Sequence, residues 1–164
     1  MEDIQKFSGE AASTKDKAKN IEMFFSEYGR VKIQLEAAEM IRHKNENPRL
    51  EFPKGLKIHF YNTDGLLQSI ITADYAERYE EKGETILRNN VVITTQKGET
   101  LSTEELLWSE KQEKISSNKL VRIKTLREQL TGHNGFEAAQ DFSRYKLLGI
   151  KDSKVNVPEE NLKN

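Results

Sequence analysis

The chain has 164 residues, enough for one domain that buries a core without disulfide or metal staples. Its 26 basic and 27 acidic residues leave a net charge of −1, and no basic tract is present to displace counterions from a nucleic-acid backbone, which argues against nucleic acid as a partner. Apolar residues make up 35% and charged residues 32%, a lean core under a heavily solvated surface, as strands with one wet face require.

Cysteine is absent, so disulfides and thiolate metal sites are excluded while the compartment stays open between cytosol and periplasm. Residues 1–27 read as a lead-in or tether stub. Met1 to Asn20 is polar, rich in Gly, Ser, Ala and Lys, and lacks the apolar centre of a signal peptide. No stretch reaches the roughly 20 apolar residues that span a bilayer, so the chain as given reads as soluble. Ile21, Phe24, Phe25 and Tyr28 stand at helical spacing and permit a short helix before Gly29.

From Tyr28 to Ile150 the sequence reads as one β domain. Val31, Ile33 and Leu35 alternate with polar residues as a half-buried strand does, although Leu35, Ala38 and Ile41 keep a helix open. Asn45 to Pro48 breaks the chain, and Leu56, Ile58 and Phe60 mark the next strand. Asp64-Gly65 predicts a hairpin into Leu66–Tyr75, and Lys82-Gly83 and Lys97-Gly98 turn the chain twice more. Between them Ile86 to Thr95 reads as a strand, with either Val91 and Ile93 or Val92 and Thr94 inward. Ile115 to Thr125 reads as another. Near the end Gly132 and Gly135 flank His133 and Asn134, which predicts a bulge or a close backbone approach. Residues 151–164, with Pro158 and no hydrophobic period, read as a flexible tail.

One phrase recurs at intervals of about 29 residues: an apolar residue, a small one two places on, an apolar one three further, then an aromatic. It appears as Ile71, Ala73, Ala76, Tyr79, then as Leu101, Thr103, Leu106, Trp108, and fades into Leu130, Gly132, Gly135, Phe136. A looser copy begins at Leu35, Ala37 and Met40. About four successive strand pairs built this way predict an elongated all-β sandwich, jelly roll or open roll. Stacked strand pairs can leave an interior open to a long apolar ligand.

Constellations for chemistry are sparse. His43, His59 and His133 lie far apart and lack the close spacing of a metal pair, so no metal site is expected. Glu77, Glu80 and Glu81 sit among lysines and arginines in turns and read as a solvated rim. There is no nucleophile elbow and no phosphate-cradling glycine loop. No cofactor and no enzymatic activity are expected. The recurring aromatics, taken singly, are more simply core than ligand contacts.

Taken together, Phe52-x-x-Gly55, Ala73-x-x-Ala76-x-x-Tyr79, Asn90-Val91-Val92-Ile93, Gly98-x-x-Leu101-x-Thr103-x-x-Leu106-x-Trp108, Ile115 and Leu130-x-Gly132-x-x-Gly135-Phe136 resemble the LptC family of lipopolysaccharide-export proteins, within the OstA-like β-jelly-roll superfamily. The resemblance covers about residues 28–148. It implies an elongated open β-jelly roll whose apolar groove holds acyl chains of lipopolysaccharide. Such a protein receives the lipid from an inner-membrane ABC transporter and passes it to a periplasmic bridge protein of similar fold, edge to edge. On this reading groove candidates are Ile58, Phe60, Ile71, Ala73, Tyr79, Leu101, Trp108, Val121, Ile123 and Leu130. The small residues Ala73, Thr103 and Gly132 would leave room for the ligand. Gly135, Phe136, Ala138 and Phe142 mark the partner-docking edge, where Gly135→Arg is expected to weaken docking. Phe60→Asp is expected to remove lipid binding and leave the fold intact. The resemblance places the protein in the periplasm, tethered to the inner membrane by a segment this sequence does not show. Two alternatives stand beside it: a soluble OstA-like bridge that self-associates through its edge strands, and a β-rich adhesion or structural module with a filled core and no ligand.

Overall fold

The computed structural model describes residues 2–4 and 15–149 of the chain. The expected tail, residues 151–164, and residues 1 and 5–14 of the expected lead-in lie outside the described residues, whereas residues 15–27 of that lead-in form a strand of the domain. Among the described residues every regular element is a strand: β1 (Glu2–Ile4), β2 (Lys15–Glu27), β3 (Arg30–His43), β4 (Arg49–Phe52), β5 (Leu56–Tyr61), β6 (Leu67–Ala73), β7 (Tyr75–Tyr79), β8 (Glu84–Thr95), β9 (Thr100–Ser109), β10 (Lys114–Ser117), β11 (Val121–Lys124), β12 (Gln129–Gly132), β13 (Gly135–Ala139) and β14 (Tyr145–Leu148). All neighbours pair antiparallel, the local arrangement that short turns can close.

The expected helix at Ile21–Tyr28 is instead the second half of β2, in register with β3 from Lys15↔His43 to Glu27↔Arg30. Ile21, Met23 and Phe25 are buried at every second position, while Phe24 is half-buried on the other face. The helix-like spacing arose because an apolar Phe24 and the exposed turn residue Tyr28 interleave with a period-two set. β3 likewise settles as strand over its whole length. The run Ile115 to Thr125 is two strands, β10 and β11, parted at Asn118–Leu120.

Long strands divide their partners between two layers. β3 pairs with β5 through Ile33–Glu36 and with β4 through Ile41–His43. β8 pairs with β7 through Glu84–Arg88 and with β6 through Val92–Thr95. β9 pairs with β11 through Thr100–Thr103 and with β10 through Leu107–Ser109. One layer therefore runs β2-β3-β4-β7-β8-β9-β10-β13-β14, the other β2-β3-β5-β6-β8-β9-β11-β12, with β1 at the end of β2. The chain winds through both layers as a twisted jelly roll, and corners form where it passes from one to the other.

The corners explain the sequence repeat. Inward residues follow a two-residue step along each strand, then jump by three at the corner: Ala37 to Met40, Ala73 to Ala76, Thr103 to Leu106, Gly132 to Gly135. The extra residue resets the pleat as the chain changes layers. On β8 the same reset takes two residues, Asn89 and Asn90, both in the left-handed region at φ 69° and 53°, and the ladder to β9 slips between Arg88 and Val91. Asparagine tolerates that conformation better than most side chains. With this reset Val91 and Ile93 face inward, which resolves the two registers open in the sequence.

The small residues of the repeat stand at these corners because backbones meet there. A Cβ on Gly55 would sit 2.7 Å from the Ala73 carbonyl oxygen, and the Thr103 hydroxyl donates to the Leu120 carbonyl at 3.0 Å. The close approach expected around Gly132 and Gly135 is present: a Cβ on Gly135, at φ +100°, would fall 1.8 Å from the Ser117 carbonyl oxygen, and one on Gly132 2.7 Å from that of Gly135.

Candidate functional site

The inner faces of the two layers form one continuous apolar interior. Trp108, Phe60, Leu101, Ile71, Ile58, Leu35, Met40 and Phe136 are fully or almost fully buried in a single cluster. Trp108 stands at its centre, with Phe60 at 5.4 Å and Phe25 at 6.4 Å between ring centroids, both edge-to-face. Its indole N–H donates to the Gln140 side-chain oxygen at 3.0 Å, so the one polar atom of a buried ring is satisfied.

Of the residues expected to line a groove, Ile58, Phe60, Ile71, Ala73, Leu101, Trp108, Val121 and Ile123 face this interior, and Leu130 packs half-buried against it. Tyr79 does not. Ala76 and Arg78 are the inward residues of β7, and Tyr79 lies on the outer face with the Lys82 ammonium 5.5 Å above its ring. The position equivalent to Trp108 in this winding is Arg78, one residue earlier, since seven residues separate Leu101 from Trp108 and eight separate Ile71 from Tyr79.

The segment expected as a docking edge is not at an edge. β13, with Gly135, Phe136 and Ala138, is an inner strand held between β10 and β14. Phe136, Ala138 and Phe142 are buried, and Phe142 stacks on Tyr145 at 4.8 Å. Among the described residues the terminal strands at this end are β14 and β12, each paired on one side only. At the opposite end stand β1 and β2.

Where the inner face of the first layer reaches its turns it becomes ionic. Arg78, buried on β7, donates through Nε and a terminal nitrogen to both carboxylate oxygens of Glu110 at 2.9 and 3.0 Å. Thr85 on β8, fully buried, adds a hydroxyl to the same carboxylate at 3.2 Å. Glu80 lies 3.8 Å from Arg78 and accepts from Arg42 at 3.0 Å, so a chain of alternating charge runs outward across the strands. The Arg78 guanidinium rests 4.7 Å over the ring of Phe25 on β2. Sequence reasoning missed this cluster because an arginine in an alternating strand is ordinarily read as an outward residue; the repeat, aligned on its corners, would have placed Arg78 inward.

The outer face of the same layer carries a second ladder. Arg49 and Arg88 both bond Glu77, at 2.9 and 3.1 Å, and Arg88 bonds Glu105 at 3.1 Å. Beside it His43 and Tyr75 donate to the two oxygens of Glu51, each at 2.8 Å. Burial alone would raise the Glu51 carboxyl, but these two hydrogen bonds with the charges of His43 and Arg49 outweigh it and hold it below the ordinary range. These ladders keep a wide sheet face solvated and in register.

A recess of about 620 Å³ opens at the first corner between Asn20 and Gly55. Its walls mix charged Glu22, Glu36, Lys54 and Lys57 with apolar Ile21, Ala37, Leu56 and Ala73. No group of acidic or histidine side chains among the described residues is arranged to hold a metal ion. No helix among them is long and apolar enough to cross a membrane.

The arrangement joins a packed apolar interior bounded by two sheets, terminal strands at its ends, and an ionic cluster at the turns. Among curated proteins none matches the chain. Residues 10–150, which take in the whole described jelly roll from β2 onward, match the family described as lipopolysaccharide-assembly, LptC-related. A β-jelly roll wound in this order and matched over that length belongs to the LptC-related lipopolysaccharide-assembly family, whose place is lipopolysaccharide export in the periplasmic cell envelope.

Proposed function

We propose that this protein carries the acyl portion of lipopolysaccharide between its two sheets, taking the lipid from the inner-membrane ABC transporter and handing it to a periplasmic bridge protein of similar fold. The observation that supports this reading most is the single apolar cluster that runs from Met23 on β2 to Phe136 on β13 in a chain of the LptC-related family. Transfer needs no covalent step. Each methylene moved from water into such an interior is worth about 0.8 kcal/mol, so the apolar length of the path supplies the affinity without specific polar contacts.

The ends of the roll supply the docking surfaces. β14 and β12 offer strand edges to the bridge protein, and β1 and β2 lie at the end left for the transporter, in the strand-addition mode. Tethering to the inner membrane belongs to the same proposal and would keep the transporter end at the bilayer. A photo-crosslinking amino acid tests both parts. Placed at Ile58, Leu101 or Ile123, it is expected to capture lipopolysaccharide, while at the outward Thr72 or Arg122 it is not. Placed at Lys146 on β14 it is expected to capture the bridge protein, while at Lys57 in mid-sheet it is not. Equal lipid capture from inward and outward positions would refute the interior path; capture of the bridge from Lys57 alone would refute the edge assignment.

A further inference from the structure

Arg78 is the inward residue of β7 two places past its corner. The matching residue of the next winding is Trp108, apolar and buried, and that of the preceding winding is Arg42, which is partly exposed, so Arg78 is the charge of this row that lies deepest. A buried ion pair is rarely more stabilising than apolar side chains of similar volume, so Arg78 and Glu110 are not accounted for by stability of the roll. Their place is specific. Arg78 stands at the turn end of β7, behind it the apolar cluster, in front of it Glu80 and Arg42, whose side chains are 38% and 29% exposed. Beneath it is Phe25, on the strand that pairs with β1 at the end of the roll.

We propose that Arg78 binds a phosphate group of the lipid as the acyl chains enter the interior, and that Glu110 holds the guanidinium in its place when no lipid is bound. This rests on the reading of the interior as the acyl path. The two-pronged contact that Arg78 now makes with the Glu110 carboxylate, at 2.9 and 3.0 Å, is the contact a guanidinium fork makes with two phosphate oxygens. Thr85 supplies a third donor at the same point. A phosphate arriving there would displace one anion by another, so the buried guanidinium never stands unpaired during loading. The released Glu110 carboxylate lies at the start of the turn that leads to exposed Lys111 and Gln112 and can swing to solvent. Charge and tail are then read together: the headgroup at the ionic cluster, the chains between the sheets.

The test is equilibrium binding of full-length protein to lipid A in detergent micelles, phosphorylated and enzymatically dephosphorylated. The wild type is expected to prefer the phosphorylated lipid about tenfold. Glu110→Gln, which weakens the resident competitor, is expected to tighten the phosphorylated lipid several-fold and leave the other unchanged. Arg78→Lys keeps the charge but loses the fork, and is expected to lose most of the preference. The double variant Arg78→Met with Glu110→Gln leaves no buried charge unpaired and is expected to bind the two lipids alike; its fold is checked by the emission of Trp108. Inorganic phosphate alone is expected not to compete, because the ionic cluster is reached with the chains in place. Equal wild-type affinity for the two lipids overturns the proposal and spares the acyl path, as does competition by inorganic phosphate that Arg78→Lys leaves unaltered. Binding of neither lipid removes the acyl path, and this inference with it.

Discussion

Replacing Gly135 by alanine adds one methyl group and should cost about as much as truncating a core side chain. At φ +100° alanine is strained by roughly 1 kcal/mol in any setting. The added Cβ would also stand 1.8 Å from the Ser117 carbonyl oxygen and 2.7 Å from its carbon, about 1.6 Å short of the 3.4 Å at which ordinary contact begins. The obstacle is backbone, so no rotamer relieves it. β13 must move away from β10, where Ser117↔Phe136 and Ser116↔Glu137 are paired. Losing two or three ladder hydrogen bonds at about 1 kcal/mol each brings the total to roughly 3–4 kcal/mol, a large part of the 5–15 kcal/mol that usually holds a domain together. Gly98→Ala is the matched control: it has φ +81° and nothing within 4 Å of the built Cβ, so it should cost only the conformational part. In urea unfolding followed by circular dichroism, with a slope near 2 kcal/mol/M, Gly135→Ala should lower the midpoint by roughly 1.5–2 M and Gly98→Ala by about 0.5 M. Equal midpoints for the two variants would refute the close approach. The same geometry changes the meaning of Gly135→Arg: loss of a docking partner in that variant would report an unfolded C-terminal end and not a blocked edge.

Phe60→Asp should behave in the same way, because Phe60 is 1% exposed and packed on Trp108. A carboxylate there should cost about 4 kcal/mol or more, and circular dichroism should show loss of β signal where the sequence reading expected an intact fold. Gln140→Leu removes the acceptor of the buried Trp108 indole and should destabilise by about 1–3 kcal/mol, with the emission of the single tryptophan reporting unfolding in the urea titration; an unchanged midpoint would mean the indole finds another acceptor. The depressed Glu51 carboxyl stabilises the fold fully above its unfolded value near pH 4.5 and loses that contribution as pH falls through the lower folded value. The stability gap between wild type and Glu51→Gln should therefore be steady at pH 6–7 and close towards pH 3, and a gap that stays constant over that range would contradict the linkage.

Much of this architecture was legible in the sequence because it repeats. Alternation fixed Leu56–Phe60 and Val91–Ile93 as strands, Asp64-Gly65, Lys82-Gly83 and Lys97-Gly98 marked turns that close neighbouring strands, and Gly132 and Gly135 announced a close approach. The recurring phrase itself encodes a corner. Its small residue followed by a three-residue step is the pleat resetting as the chain changes sheets, so Ala73, Thr103 and Gly132 are small because backbone lies against them. Read through the family resemblance and their matched places in the repeat, they suggested space for a ligand. The misplacement of Tyr79 has the same origin: the phrase was matched on its aromatic residue, and an arginine was not considered for an inward site. That β13 is not a terminal strand was hidden because nothing local distinguishes β13 from β14. Which of two short strands is last depends on pairing partners far away in sequence.

The interior raises an energetic question for a lipid carrier, since Trp108, Phe60, Leu101 and their neighbours already fill it. An acyl chain cannot be added to a packed core at density near that of an organic crystal; it must exchange for contacts between the two sheets. About ten methylenes would bring roughly 8 kcal/mol, which can offset the parting of interlocked side chains without a net gain large enough to trap the lipid. The contacts that hold the sheets together at the rim are weak ones. Lys32 on β3 bonds Glu113 in the turn before β10, both at least partly solvated, and Gln140 links Glu113 to Trp108. A surface ion pair of this kind contributes about 0–1 kcal/mol. On the function proposed above, a filled roll closed by such a seam would be stable alone and would part for a lipid delivered from one end, the balance that one-way transfer along a row of similar rolls requires.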